Sequence, residues 1–277
     1  MRPNEAPGSI GVQVRTFSYD SGASGPQLTR AVAIEAPVQI VIGGAPFALM
    51  MATPQDLEDF AYGFALTEQI VETVKDIRGV EVERVAEGWK LKVALSGERL
   101  QAHLARGRAM SGRTGCGLCG IEDFSQMPSP RPPLASQAPI APAAIRTAVE
   151  GLETRQPLNH LTRAVHAAAW CGRDGTILQV REDVGRHNAL DKTIGALARE
   201  AVTPDSGFFV ITSRCSFEMV AKAAIFGAGT LVSVSAPTSL ALERAQAFGV
   251  RVIAVARRDQ ALCFESGKDE ASGGLAA

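Results

Sequence analysis

The chain has 277 residues, room for one large or two modest domains, and its 46% hydrophobic content is enough for a real core. Twenty-eight Lys and Arg stand against 29 Asp and Glu, so composition offers no basic field for nucleic acid or an anionic membrane surface. Met1 to Ser9 lacks the apolar stretch of a secretory leader, and no run reaches the length of a membrane span, so a cytoplasmic protein is expected. Five cysteines, an odd number with two in a Cys-x-x-Cys pair, fit a reducing compartment better than a disulfide framework.

Residues 1–30 read as an N-terminal arm with an edge strand at Ile10–Phe17. Residues 31–110 then form an α+β domain. Val38–Ile42 and Phe47–Met51 flank Gly43-Gly44-Ala45-Pro46, a hairpin signal in which glycine supplies positive φ. A helix is predicted next, with Thr53 at the N-cap, Pro54 at the first position, and Leu57, Phe60, Ala61 and Phe64 on its buried face. Those aromatics are core residues. Val80–Val85 and Trp89–Leu95 alternate around Glu87-Gly88 and predict a second hairpin, and Glu98–Arg106 reads as a short helix.

Residues 111–142 are the loop and linker. Ser111–Gly120 holds four glycines and both Cys116 and Cys119, so it cannot pack a core and presents two thiols on a flexible backbone. Zinc would need a second ligand pair, and the sequence has no other Cys-x-x-Cys, so no metal site is expected. A thioredoxin-like pair would open a helix after a strand, a context missing here. A persulfide-carrying thiol suits the setting, with Arg106, Arg108 and Arg113 nearby to favour thiolate. An incidental glycine loop is the plainer alternative. Six of the fifteen prolines then fall between Gln126 and Pro142, which marks a domain boundary.

Residues 143–265 alternate strands and helices. Helices are predicted at Ala143–Glu153, Asn188–Ala201, Phe217–Phe226 and Ser239–Phe248. Strands are predicted at His166–Trp170, Thr176–Val180, Phe208–Thr212, Leu231–Ser235 and Val250–Ala256. Such β-α-β spacing implies an α/β domain with a mostly parallel sheet. Residues 266–277 read as a disordered tail.

Ligands collect at the carboxyl ends of parallel strands. Four polar clusters fall there: Arg181–Lys192, Ser213–Ser216, Ala236–Ser239 and Arg257–Gln260. Helix entrances beside arginines suit phosphate, and a carboxylate such as Asp183 suits the donor edge of guanine. One such cluster would be a solvated cap. Four on one rim point to a nucleotide-like ligand. Cys171, Cys215 and Cys263 are scattered and read as structural thiols, and His166 as a strand residue.

Thr53–Phe60, Cys116–Gly120, the twelve residues Arg181–Lys192, Ser213-Arg214, Ser216–Val220 and Ser235–Thr238 together resemble the FdhD family, over about residues 35–264. These are the formate dehydrogenase accessory sulfurtransferases. The resemblance implies a cytoplasmic sulfur carrier that takes persulfide from a cysteine desulfurase. It would pass the sulfur to the bis-molybdopterin guanine dinucleotide molybdenum cofactor, its bound substrate, before insertion into formate dehydrogenase. It also implies a cytidine-deaminase-like, three-layer α/β/α C-terminal domain without deaminase chemistry, since no His-x-Glu or Pro-Cys-x-x-Cys occurs. Homodimers are the family's habit. On this reading Cys116 and Cys119 are the catalytic pair. Val255, Ala256, Arg257, Arg258, Asp259 and Gln260, with Arg186, His187, Asn188 and Arg214, hold the cofactor. The chain departs from the family at Arg258-Asp259, where a small-residue turn is usual, and at Thr162-Arg163-Ala164, where Thr-Gly-Gly is common. The rival reading is a non-catalytic chaperone that holds and docks the guanine-dinucleotide cofactor.

Overall fold

A computed structural model describes residues 6–101 and 132–264. The predicted thiol loop, with Cys116 and Cys119, and the predicted tail lie outside the described residues. Three sheets organise the rest.

Strands β1 (Ser9–Phe17) and β2 (Ser24–Ala33) form an antiparallel ribbon. Only β1 was legible in advance, because β2 carries Ser, Gly, Pro and Gln without apolar alternation. The four-stranded sheet has the order β4-β3-β6-β5, with β3 (Ala36–Ile42), β4 (Ala45–Ala52), β5 (Ile77–Val85) and β6 (Gly88–Leu95). Both predicted hairpins are present, and β3 pairs parallel with β6 to join them.

Helix α1 (Leu57–Thr67) covers this sheet, setting Phe60, Ala61 and Phe64 against Val38, Ile40, Leu91 and Val93. The predicted start is corrected. Asp56, not Thr53, holds the cap position, with a left-handed φ of 50° and no side-chain capping bond. Thr53 is fully buried and its polar groups are bonded elsewhere, so it is not free to cap the helix. A helical turn is described at residues 97–101, where the short helix was expected.

The six-stranded sheet has the order β12-β11-β10-β9-β7-β8. Its strands are β7 (His166–Gly172), β8 (Ile177–Asp183), β9 (Gly207–Ile211), β10 (Thr230–Ser233), β11 (Arg251–Ala254) and β12 (Leu262–Phe264). Only β9, β10 and β11 run parallel to one another; the β7–β8, β7–β9 and β11–β12 pairings are antiparallel. The sheet is therefore mixed rather than mostly parallel. Two short connections, between β7 and β8 and between β11 and β12, are too short for a parallel crossover and must turn the chain back.

Helix α2 (Pro142–Glu153) packs Ile145, Ala148 and Leu152 on one face of this sheet, against Ala167, Ala169, Phe208 and Val210. Three helices cover the other face: α4 (Arg186–Arg199), α5 (Phe217–Phe226) and α6 (Ser239–Phe248), around Trp170, Phe209, Ile211 and Leu231. Alternate residues of one strand thus feed two cores, as the pleat requires. Between α2 and β7 lies α3 (Pro157–Thr162), whose six residues are too few for a periodic signal.

The two halves meet where α1 lies against α4. A Cβ on Gly63 would come within 1.7 Å of the Asp191 carbonyl oxygen, and one on Gly195 within 1.9 Å of that of Asp59. The backbones touch only because both residues lack side chains. Around this crossing, charges are paired inside. Lys222 Nζ contacts Asp191 at 2.9 Å, Glu68 at 3.1 Å and the Thr67 hydroxyl at 2.9 Å. Burial works against that charge, but Asp191 and Glu68 more than offset it and hold the lysine pKa above its usual value. Asp59 accepts from Arg181 at 2.8 Å and Arg199 at 2.5 Å. Among the described residues no helix is long and apolar enough to cross a membrane.

Candidate functional site at the strand ends

The parallel strands β9, β10 and β11 end side by side, and the residues that follow open an empty space instead of a packed core. Thr212, Val234 and Ala256, one from the end of each strand, line an open cavity of about 420 Å³. His166 at the start of β7 enters from the antiparallel neighbour. The far wall comes from Glu153 of α2, Gln156, and Asn159 of α3, and Arg257 and Arg258 stand at the mouth.

Glu182 fixes that wall. Its carboxylate accepts from the backbone N–H groups of Leu158 at 2.9 Å and Asn159 at 2.7 Å, tying α3 to β8. Burial raises its pKa, and the two N–H bonds oppose the shift.

The stretch 255–260 divides in two. Ala256, Arg257 and Arg258 line the cavity, whereas Val255, Asp259 and Gln260 do not. Val255 has φ 53°, a strained conformation for a β-branched residue. It sends the chain out of the sheet, and the Arg257 N–H closes the loop on Gln260 O at 2.8 Å. The Arg257 guanidinium donates to the Val234 carbonyl, and Arg258 pairs with Glu153 across the mouth.

Beyond His166 lies a second cationic group, at the entrances of α4 and α5. Burial lowers the pKa of His166, and the charges of Arg186, His187 and Arg214 push it further down. A neutral imidazole is thereby kept among cations. Glu218, in the first turn of α5, is held down to about 2, chiefly by the neighbouring His187, whose Nε2 lies 3.9 Å from the carboxylate. That distance is too long for a hydrogen bond. Arg186 Nε, His187 Nε2 and Ser216 Oγ are all buried and none makes a hydrogen bond of normal geometry among the described residues, although His187 and Ser216 both stand beside the Glu218 carboxylate and help to lower its pKa. Buried polar atoms normally have partners, so three orphans on one rim point to a polar ligand.

Asn188 is placed differently. Its amide is buried and donates to Met51 O at 2.8 Å and Asp183 Oδ1 at 2.9 Å, so it braces the fold. Arg186, His187 and Arg214 gather on the rim with Arg257 and Arg258. Sequence reasoning passed over His166, Thr212, Gln156 and Asn159. A signal existed for His166 and Thr212, which sit at strand ends. None existed for Gln156 and Asn159, whose helix was invisible in the sequence.

The described thiols offer little chemistry. Burial pushes Cys171 and Cys215 up to about 12, so neither is a thiolate near neutral pH. Cys215 is fully buried behind the rim, and Cys263 is exposed on the edge strand β12. No group of three or more metal-ligating side chains occurs among the described residues.

Fold and cavity together define an α/β protein with a cationic pocket at the ends of parallel strands. The chain belongs to the FdhD/NarQ family, whose model matches residues 33–269. It is 46% identical over 251 residues to the sulfur carrier protein FdhD of Xanthomonas axonopodis pv. citri, covering 91% of this chain and 88% of that protein. The protein of the same name from Bordetella petrii is 45% identical over 233 residues, with 84% of each chain covered. A crystal structure of a candidate formate dehydrogenase accessory protein from Desulfotalea psychrophila superposes with a TM-score of 0.71. It is 24% identical and covers 94% of this chain and 98% of that one, a likeness of fold.

Proposed function

We propose that this protein is a cytoplasmic sulfur carrier serving formate dehydrogenase. It takes persulfide sulfur from a cysteine desulfurase and delivers it to the bis-molybdopterin guanine dinucleotide cofactor. The reading is supported by the relatives named for that carriage and by the thiol pair of the sequence. The observation that carries it is the cationic rim, with Arg257 and Arg258 at the cavity mouth and three buried polar atoms beside it that lack partners among the described residues. Such a rim fits the phosphates of a dinucleotide. The three-layer C-terminal part supports the cytidine-deaminase-like reading of that unit.

In the proposed transfer, the Cys116 thiolate attacks the outer sulfur of the desulfurase persulfide. The old S–S bond breaks, the desulfurase leaves as thiolate, and the new persulfide sits on Cys116 with no net redox change. Cys119 assists release, either by sharing the sulfur or by attacking Cys116 to expel sulfide. The second route leaves a Cys116–Cys119 disulfide, which a thiol reductant must reset. Arg257, Arg258, Arg186, His187 and Arg214 hold the anionic parts of the substrate.

The test is intact-protein mass spectrometry after incubation with a cysteine desulfurase and cysteine. Wild type gains one sulfur atom, and Cys116→Ala does not. No gain in wild type, with guanine-nucleotide binding intact, would replace the carrier by the cofactor chaperone.

A further inference from the structure

Thr53 lies at the exit of β4 in the N-terminal sheet, far in sequence from the rim, and it is fully buried. All three of its polar groups bond to residues of 183–192, the turn into α4 and the first part of that helix. Its N–H donates to Asp183 Oδ2 at 2.9 Å, its carbonyl accepts from Lys192 Nζ at 2.9 Å, and its hydroxyl oxygen accepts from the Val184 N–H at 3.2 Å. Asp183 completes the knot. Its Oδ1 accepts from the Gly185 N–H at 2.7 Å and the Asn188 amide at 2.9 Å, and its Oδ2 meets Lys192 Nζ at 2.6 Å.

The turn held this way ends at Arg186 and His187, the first two residues of α4. Arg186 Nε and His187 Nε2 have no hydrogen-bond partner among the described residues. Apart from the 3.9 Å approach of His187 Nε2 to Glu218, the backbone of the turn fixes where these two side chains start. Asp183 also pairs in register with His166, so the same turn leaves the sheet beside the cavity wall. Of the bonds that Thr53 makes to the turn, only the one from Val184 depends on its side chain.

We propose that Thr53 is a positioning residue for the cationic rim, acting through the turn 183–188 to aim Arg186 and His187. The proposal rests on the reading of that rim as the ligand site. It gives the N-terminal sheet a part in binding, without contact to the ligand.

Thr53→Val keeps the shape and removes the acceptor, and Thr53→Ser keeps the acceptor. Two readouts on the full chain separate the outcomes. The first is the imidazole C2–H signal of His187 by NMR without ligand, assigned by its loss in His187→Gln. It should move in Thr53→Val and stay in place in Thr53→Ser, with the His160 signal unchanged in both. The second is the Kd for GDP, which should weaken about tenfold in Thr53→Val, the worth of one charge-assisted hydrogen bond, and stay within about twofold in Thr53→Ser. A His187 signal unmoved in Thr53→Val, or moved equally in Thr53→Ser, overturns the proposal. If wild type binds no GDP, the rim reading fails on its own, and the imidazole signal still decides the part of Thr53. Should Thr53→Val not fold, Thr53→Ala removes the same acceptor with a smaller side chain, and an unmoved His187 signal there overturns the proposal equally.

Discussion

A cysteine's chemistry is decided by what surrounds its sulfur, and the described thiols divide on that basis. At about 12, Cys171 and Cys215 hold about one thiolate in ten thousand at pH 8. Cys263 is exposed. In a Cys116→Ser/Cys119→Ser background, iodoacetamide at pH 8 should label one thiol quickly, Cys263. Cys171 and Cys215 should react only after unfolding, as peptide mapping would report. Fast labelling of Cys215 would mean that the rim opens to its core side. The sequence marked Cys215 only as a thiol near the rim, because nothing in Ser213–Ser216 says which side chain turns inward.

At the scale of elements, the crossing of α1 and α4 depends on two glycines facing backbone. Gly195→Ala should cost about 3 kcal/mol in urea denaturation, since the new methyl meets backbone and cannot be relieved by a rotamer change. Gly79→Ala, with nothing within 4 Å of the added carbon, is the control and should change stability by less than about 1 kcal/mol. Equal effects at the two sites would refute the close crossing. Most elements here were legible from periodicity: α5 and α6 fall at their predicted bounds, and both N-terminal hairpins form. The start of α1 was not, because Thr53 and Pro54 carry every local mark of a helix entrance. Bonds to residues 130 or more positions away outweigh a local cap worth about 1 kcal/mol.

For the whole molecule, the buried charges matter most. Lys192 and Lys222 each find partners in both halves of the chain: Asp183 and Thr53 for one, Asp191, Glu68 and Thr67 for the other. Removing one half leaves buried charges short of partners, which is severely destabilising. A fragment of residues 132–277 should therefore lack a cooperative thermal transition and near-ultraviolet circular dichroism. A sharp transition in that fragment would show that the C-terminal layers fold alone. The candidate site was half legible in the same way. The arginines and His187 were readable as charges at strand ends. His166 joined them only when β7 was laid antiparallel beside β9, and Asn188 left them because Met51 and Asp183 claim its amide.

The sequence by itself determined the family, the thiol pair, the order of most strands and helices, and a charged rim at the strand ends. These follow from local chemistry: turn glycines, apolar periods and charge placement act over a few residues. Only the tertiary structure decided the mixed direction of the central sheet, the crossing at Gly63 and Gly195, the cavity lined by His166, Thr212 and Asn159, and the turning of Thr53 toward the rim. Each of these depends on which distant groups meet. A buried donor or acceptor must find a partner wherever the fold brings one, and no local pattern encodes that choice.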